Sequence, residues 1–327
     1  MRMNEHQAWK NFNLGDELSI SGALIYNGLR QFHEMRTLDN LDEIFEFLYD
    51  ISVGLERLLE IAVVLIEHKD DSDQEELEKS LITHNHLELL NRVRKNCKLT
   101  LGSPHNEFLS LLGTFYKSLR YDRFTLSSVY DTEREKKALY GFLSKHLAVE
   151  IQISSSYSPI RNEARYRQFI RGIVTKISSA IYEVVQVKAF ELNLYTYEVR
   201  HGSKAQTVFQ GQAELATEEV LWKELLVFFM NTKSSSGYLE FLRSIEPLEF
   251  APELTSDYLQ CFQSNAAKAF VTDQLTHLYE QLKNSGKRIE VMSVVGDPGA
   301  YFDSPDSEDD FDSPDSSEDD EDDEELP

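Results

Sequence analysis

Between Leu41 and Leu65 the apolar residues Leu41, Ile44, Leu48, Ile51, Leu55, Leu58, Ala62 and Leu65 are separated alternately by three and four positions. In an α-helix that spacing puts every one of them on a single stripe, a placement no strand can reproduce. Phe45, Leu59 and Ile66 widen the stripe beyond a two-position coiled-coil seam, and the row runs for less than four heptads. The segment therefore predicts a long core helix of a bundle. Gly54 lies beside the stripe, where it costs about 1 kcal/mol in helix propensity relative to Ala, and marks a place where another helix comes close.

The same period recurs along the chain. Asp70 to Glu78 is a charged loop or helix start. Asn85 with Glu88 three residues on reads as a capping pair that opens a helix through Leu87, Leu90 and Val93 to about Cys97. After the break Gly102-Ser103-Pro104 the period resumes from Phe108 to Phe124, and a further helix is expected over about 132–147. The serine-rich run Ser154-Ser155-Ser156-Tyr157-Ser158-Pro159 is the best internal boundary. Beyond it, Tyr166, Phe169, Ile170, Ile173, Ile177, Ile181, Val184 and Val185 fall on one helical side, and helices are expected over 217–230, 237–245 and 266–282. Ile289 to Val295 is β-branched enough for a short strand; Val184 to Val187 reads as helix interior. The predicted architecture is all-α: a helical bundle over 1–150, a second helical domain over 160–296, and a disordered acidic tail over 297–327.

Charge is divided unevenly. The 327 residues carry 33 Lys+Arg against 57 Asp+Glu, a formal net charge of −24. Residues 301–327 hold 15 of the acidic residues and no Lys or Arg, which leaves 33 positive and 42 negative charges, a net of −9, on the first 300. The tail repeats a short unit, Phe302-Asp303-Ser304-Pro305-Asp306-Ser307 and then Phe311-Asp312-Ser313-Pro314-Asp315-Ser316. A segment with so little apolar surface and so much like charge is expected to stay disordered. It reads either as a solubilising tail or as a lure for a basic partner, with Phe302 and Phe311 as apolar anchors of a linear motif. Cys97 and Cys261 are too few for a disulfide framework or a cysteine zinc site, and no stretch approaches the apolar length of a membrane span. The expectation is a cytoplasmic protein without cofactor or membrane contact.

The motif inventory excludes several chemistries. The sequence contains no G-x-x-x-x-G-K-[ST], G-x-G-x-x-G, G-x-S-x-G or H-E-x-x-H, so P-loop, Rossmann, hydrolase-elbow and zincin readings drop out. His84 and His86 stand two apart, off a common helix face and without an adjacent third ligand, which argues against a metal site. Glu56 and Arg57, beside the core stripe, read as a rim ion pair. Arg120-Tyr121-Asp122-Arg123-Phe124 gathers two arginines and two aromatics at a helix end. Arg120, Tyr121 and Arg123 could stack on and pair with nucleic acid or an anionic partner, or else close a core with the arginines turned outward.

Three stretches carry a family resemblance: Gly54-Leu55-Glu56-Arg57-Leu58-Leu59-Glu60-Ile61 in the long helix, then His84-Asn85-His86-Leu87-Glu88-Leu89-Leu90, then Tyr116-Lys117-Ser118-Leu119-Arg120-Tyr121. Over about residues 20–147 the chain resembles the HEPN superfamily. The resemblance implies a compact helical bundle, a homodimer, and a role in RNA cleavage or in binding RNA, nucleotides or proteins, as in toxin–antitoxin, CRISPR and anti-phage systems. In the family's ribonucleases an R-x4-6-H element supplies the reactive arginine and histidine across the dimer. Here no Arg precedes a His at that distance: Arg57 to His68 and Arg94 to His105 each have ten residues between, and Arg30 to His33 has two. Catalysis is therefore not expected, because general acid–base cleavage needs a proton carrier held at the reacting oxygen; a metal-independent ribonuclease using His84 or His86 with Arg120 is the residual enzymatic reading. Two functions remain: a HEPN-like binding or regulatory protein engaging RNA or a protein through Arg120, Tyr121, Arg123, His84 and His86, and a helical adaptor that binds a basic partner through its tail.

Overall fold

The computed structural model describes residues 3–126, 133–151, 159–194, 196–199, 202–262 and 265–300. The acidic tail with Phe302 and Phe311 lies outside the described residues, as does the side chain of Arg123. Among the described residues the fold is all-α, with no strand and one isolated antiparallel bridge, Thr37 to Arg161. Among the described residues no helix is long and apolar enough to cross a membrane. The chain divides into two compact units, Met1–Lys223 and Glu224–Pro327.

Unit 1 is organised on α2 (Leu41–Glu67), whose predicted stripe is buried from Ile44 through Leu65. Its main partner is α1 (Glu5–Glu34), opened by a capping box in which Asn4 accepts from Gln7 N at 2.7 Å. The two helices touch at Gly54: a Cβ there would stand 2.7 Å from Ile25 Cγ1 and 3.1 Å from Ile25 N, the close approach that the glycine predicts. The buried Ser21 Oγ donates to the Gly54 carbonyl at 2.7 Å and is thereby satisfied. A second close approach, at Gly22 against Ala205, seats α8 (Lys204–Phe209) on α1.

The remaining helices of unit 1 wrap α2. α3 (Gln74–Leu81) is capped by Asp73, and α4 (His86–Asn96) is capped by Asn85, whose side chain accepts from Glu88 N at 3.4 Å. α5 (Ser103–Lys117) starts at the predicted break, because Pro104 suits the first turn of a helix, and ends in a 3-10 turn over Leu119–Phe124. α6 (Arg134–Leu147) and α7 (Ala164–Glu191) complete the core. α7 packs on α2 and α5, so the residues beyond the serine-rich run share one core with those before it. Backbone bonds Leu38 N to Ile160 O (2.8 Å) and Asn162 N to Arg36 O (2.9 Å) stitch the α1–α2 loop to the start of α7, and the buried Asn162 Nδ2 donates to the Phe32 carbonyl at 2.6 Å. The boundary expected at 154–159 is corrected accordingly: unit 1 runs on to Lys223, inside α9 (Leu215–Asn231).

Unit 2 continues α9 through α10 (Gly237–Ser244), α11 (Thr255–Cys261), α12 (Asn265–Gln281) and α13 (Ser285–Val294). The strand expected at 289–295 is a helix: Ile289 and Val291 sit inside α13, where Lys287 and Arg288 are good helix formers and the isolated β-branched residues find no partner strand. No residue of unit 2 whose side chain is described is buried. The hydroxyl of Tyr238 accepts from Gly296 N at 2.6 Å, and Arg288 donates to the Glu246 carbonyl at 2.6 Å, so polar contacts as well as apolar edges hold this unit together.

Candidate functional site

Within the apolar α2, Ser52 and Glu56 stand four residues apart and therefore on one face. Both are buried, and both are answered by the chain that enters α4. His84 occupies the turn after α3 with a left-handed backbone (φ 50°), an arrangement uncommon outside glycine, and its Nδ1 lies 3.0 Å from Glu56 Oε1. His86, the first residue of α4, reaches Ser52 O with Nε2 at 2.8 Å. A carbonyl only accepts, so Nε2 carries the proton and Nδ1, which has no partner, is the bare nitrogen. Complete burial pushes the His86 pKa down, against the opposing pull of that hydrogen bond, and keeps the ring neutral. His86 is thus a buried structural histidine, while His84 keeps 44% of its side chain exposed.

α5 brings Tyr116 against this pair, its ring centroid 5.1 Å from that of His84 and 6.1 Å from that of Tyr49. The 3-10 turn that ends α5 folds Arg120 back, so its guanidinium carbon sits 3.7 Å over the Tyr116 ring and 4.5 Å from the Tyr121 centroid. Arg120 Nε has no hydrogen-bond partner, and Tyr121 is half exposed. Burial pushes the Tyr116 phenol up, with the guanidinium opposing it. The result is an aromatic surface carrying one stacked guanidinium and one imidazole that a buried carboxylate holds in place.

The expected Glu56–Arg57 rim pair is not formed, because neighbours one residue apart diverge on a helix. Arg57 pairs with Glu17 of α1 at the rim, and Glu56 turns inward to His84. One turn along, Glu60 is pushed up to about 7, first by burial and then by the neighbouring Glu56, with Arg57 opposing. Of the residues singled out in the sequence, the structure brings His84, Arg120 and Tyr121 to one surface and sends His86 into the core. Glu56 as partner of His84, and Tyr116 as the ring that joins His84 to Arg120, are additions. The legible signal for Glu56 was a Ser-x-x-x-Glu pair inside an otherwise apolar helix face.

An open groove of about 840 Å³ flanks the site, lined in part by Glu67, Ser80, Thr83, Asn85 and Arg92. Its arginine is already committed, Arg92 pairing with both Glu67 oxygens at 2.6 and 3.1 Å and with the Ser80 carbonyl at 3.0 Å. Among the described residues no three His, Cys, Asp or Glu side chains gather as a metal site requires. Comparison with family models, curated proteins and solved structures finds no match.

Proposed function

We propose that unit 1 is a HEPN-like binding module for RNA, with Arg120, Tyr116, Tyr121 and His84 as its contact surface. The observation that carries this reading is the guanidinium of Arg120 stacked at 3.7 Å on Tyr116, beside an imidazole that touches the same ring. Planar cations and half-exposed aromatic faces are what unpaired bases and phosphates recognise together. The body is net acidic, so counterion release from phosphates supplies little, and stacking has to provide a large share of the affinity. Binding without cleavage follows from the missing R-x4-6-H spacing, and the resemblance extends the reading to a cytoplasmic homodimer of a prokaryotic defence or toxin–antitoxin system. The double variant Arg120→Ala with Arg123→Ala tests it: RNA affinity should fall about tenfold or more while the helical circular-dichroism signal is kept. Unchanged affinity removes this surface from the function.

The duplicated Phe-Asp-Ser-Pro-Asp-Ser string supports a second reading, an adaptor that holds a basic partner by its tail. Replacing Phe302 and Phe311 with Ser keeps the net charge. A linear motif then loses its partner, whereas binding by bulk charge is retained and falls with salt over a screening length of about 10 Å at 0.1 M.

A further inference from the structure

Every described side chain of unit 2 is at least part exposed, so the unit buries nothing completely to offset the entropy of ordering its helices. The uncovered apolar surface is concentrated on α9. Leu221, Leu225, Phe228 and Thr232 follow one another by four, three and four residues, the spacing of a helix–helix seam, with Phe229 beside it. Val220, Val227 and Met230 form a second stripe on another side of the helix. The apolar side chains of the two stripes are 44–75% exposed, and among the described residues no other helix of unit 2 packs along α9. Together they leave roughly 650 Å² of apolar surface open, more than the ~300–600 Å² of the largest patch on an ordinary monomer and near the ~800 Å² that each side of a standard interface contributes. Phe270 of α12 and Ile289 of α13, more than half exposed, add to the area that two copies can close on one another.

The seam is its own complement when two copies run in opposite directions. About a two-fold axis between Leu225 and Phe228, Leu225 of each copy meets Phe228 of the other, and Leu221 meets Thr232. Charge selects the same orientation. From Leu225 to Thr232 the chain has no charged residue. Exposed Glu224 stands at one end of this stretch and exposed Lys233 at the other, where Arg243 also donates to the Thr232 and Ser234 carbonyls at 2.8 and 3.0 Å. Antiparallel copies bring each Glu224 toward the cationic end of the other, whereas a parallel pair sets like charge beside like. We propose that α9 is a homodimer contact, in which a second copy of this chain lies antiparallel along the Leu221–Leu225–Phe228–Thr232 seam. The contact deepens the homodimer reading, whose interface it supplies outside the stretch that resembles HEPN, and it is independent of RNA binding. Diluted below the dissociation midpoint the chain is a monomer with these side chains in water, and trimming one of them there costs little.

Sedimentation of the full chain, freed of nucleic acid, from about 0.1 to about 50 µM should show a monomer–dimer equilibrium. It should persist at about 1 M salt, because apolar burial is not screened as charge is. Leu225→Lys and Phe228→Glu each put a charge into the seam and should weaken the dimer about a hundredfold or more, with the helical circular-dichroism signal kept because both positions are open in the monomer. Ile82→Lys, at an exposed apolar position of unit 1, should leave association unchanged. Mixing the two seam variants is the decisive measurement. In the antiparallel register the introduced lysine of one faces the introduced glutamate of the other, and the remaining Leu225–Phe228 contact is the natural one, so the mixture should associate at least about tenfold more tightly than either variant alone. A parallel pair offers no such match. A chain that is monomeric throughout the range overturns the contact and the homodimer with it, and slow hydrogen exchange in α9 of that monomer would assign its cover to the chain's own residues. A dimer that both seam variants leave intact overturns the α9 contact and keeps the homodimer. Two disrupted variants that mixing does not restore overturn the antiparallel register.

Discussion

Helix α2 in unit 1 and helix α9, which begins in unit 1 and ends in unit 2, are both rich in large apolar residues, yet only α2 buries a continuous face, α9 contributing Leu215 alone to the core. Along α2 those residues repeat by threes and fours, and Leu48, Ile51, Leu55 and Leu58 are completely buried. Along α9 they fall on every side, so Val220, Leu221, Leu225, Val227, Phe228, Phe229 and Met230 cannot share one face, and all are at least 44% exposed. Period decides burial, and apolar content alone does not. The difference extends to the units: the core belongs to residues 14–215, and unit 2 is a run of helices joined by edges and polar contacts.

The largest expected effect sharpens this comparison. Leu58→Ala removes a side chain with no exposure from the centre of unit 1 and should cost about 2–5 kcal/mol. Hydrogen exchange followed separately in the two units should show the loss throughout α1, α2, α4 and α7. Loss of protection in α10 to α13 of the same size would mean that the units unfold as one and would break the comparison.

Much of unit 1 was legible because its helices carry large residues at regular intervals, as in α2 and along Tyr166 to Val185 of α7. α1 was not, since its contact face is built partly from Gly15, Ser21, Gly22 and Gly28, small residues that let a neighbour close in but add nothing to an apolar pattern. The boundary at 154–159 misled for a related reason: a serine-rich run marks a break in regular structure, while the union of its two sides is made by Asn162 and by backbone pairs with residues 36–38 that no periodicity displays. At the site, His84, Arg120 and Tyr121 stood out by residue type. The Glu56–His84 contact joins residues 28 apart in sequence and depends on a left-handed turn at a histidine, which composition does not announce.

The second prediction concerns the α1–α2 contact. Gly54→Val places a branched side chain where even a Cβ meets Ile25 at 2.7 Å, with Ile25 N a further 3.1 Å neighbour that cannot rotate away. Overpacking of this kind costs about 2–3 kcal/mol, read as a lowered melting midpoint of unit 1. A neutral outcome would mean that the two helices can slide apart, and that the seam is less tight than the rest of the core.

A third effect is electrostatic and opposite in direction. The folded-state pKa of Glu60 is raised to about 7 from an ordinary 4.5, so the stability linked to its protonated form is fully present below about 4.5 and is lost as pH rises through about 7. Glu60→Gln removes that loss and should stabilise unit 1 by about 2 kcal/mol at pH 8, with little effect at pH 5. His86 works the other way: burial lowers its pKa, so its contribution is present above about 6.5 and is lost as pH falls below that value. Wild-type stability should therefore peak between the two, and denaturant titrations across pH 5–8 would show it; a profile unchanged by Glu60→Gln would mean that this carboxyl is better hydrated than its position indicates.

The smallest expected effect tests unit 2 itself. Phe228 is 47% exposed, with its ring 5.4 Å from that of Phe229 and no core beneath it. Removing so open a side chain as Phe228→Ser should change stability by no more than about 0.5 kcal/mol, about a tenth of the upper cost at Leu58. Exposed apolar surface on this scale is unusual in monomers, so the measurement is informative in both directions. If the variant melts with the wild type at every protein concentration, α9 is solvated and the contrast with α2 is complete. If the wild type instead gains stability with concentration and Phe228→Ser abolishes that gain, the face is covered by another copy of the chain, and unit 2 obtains through association the burial that unit 1 builds for itself.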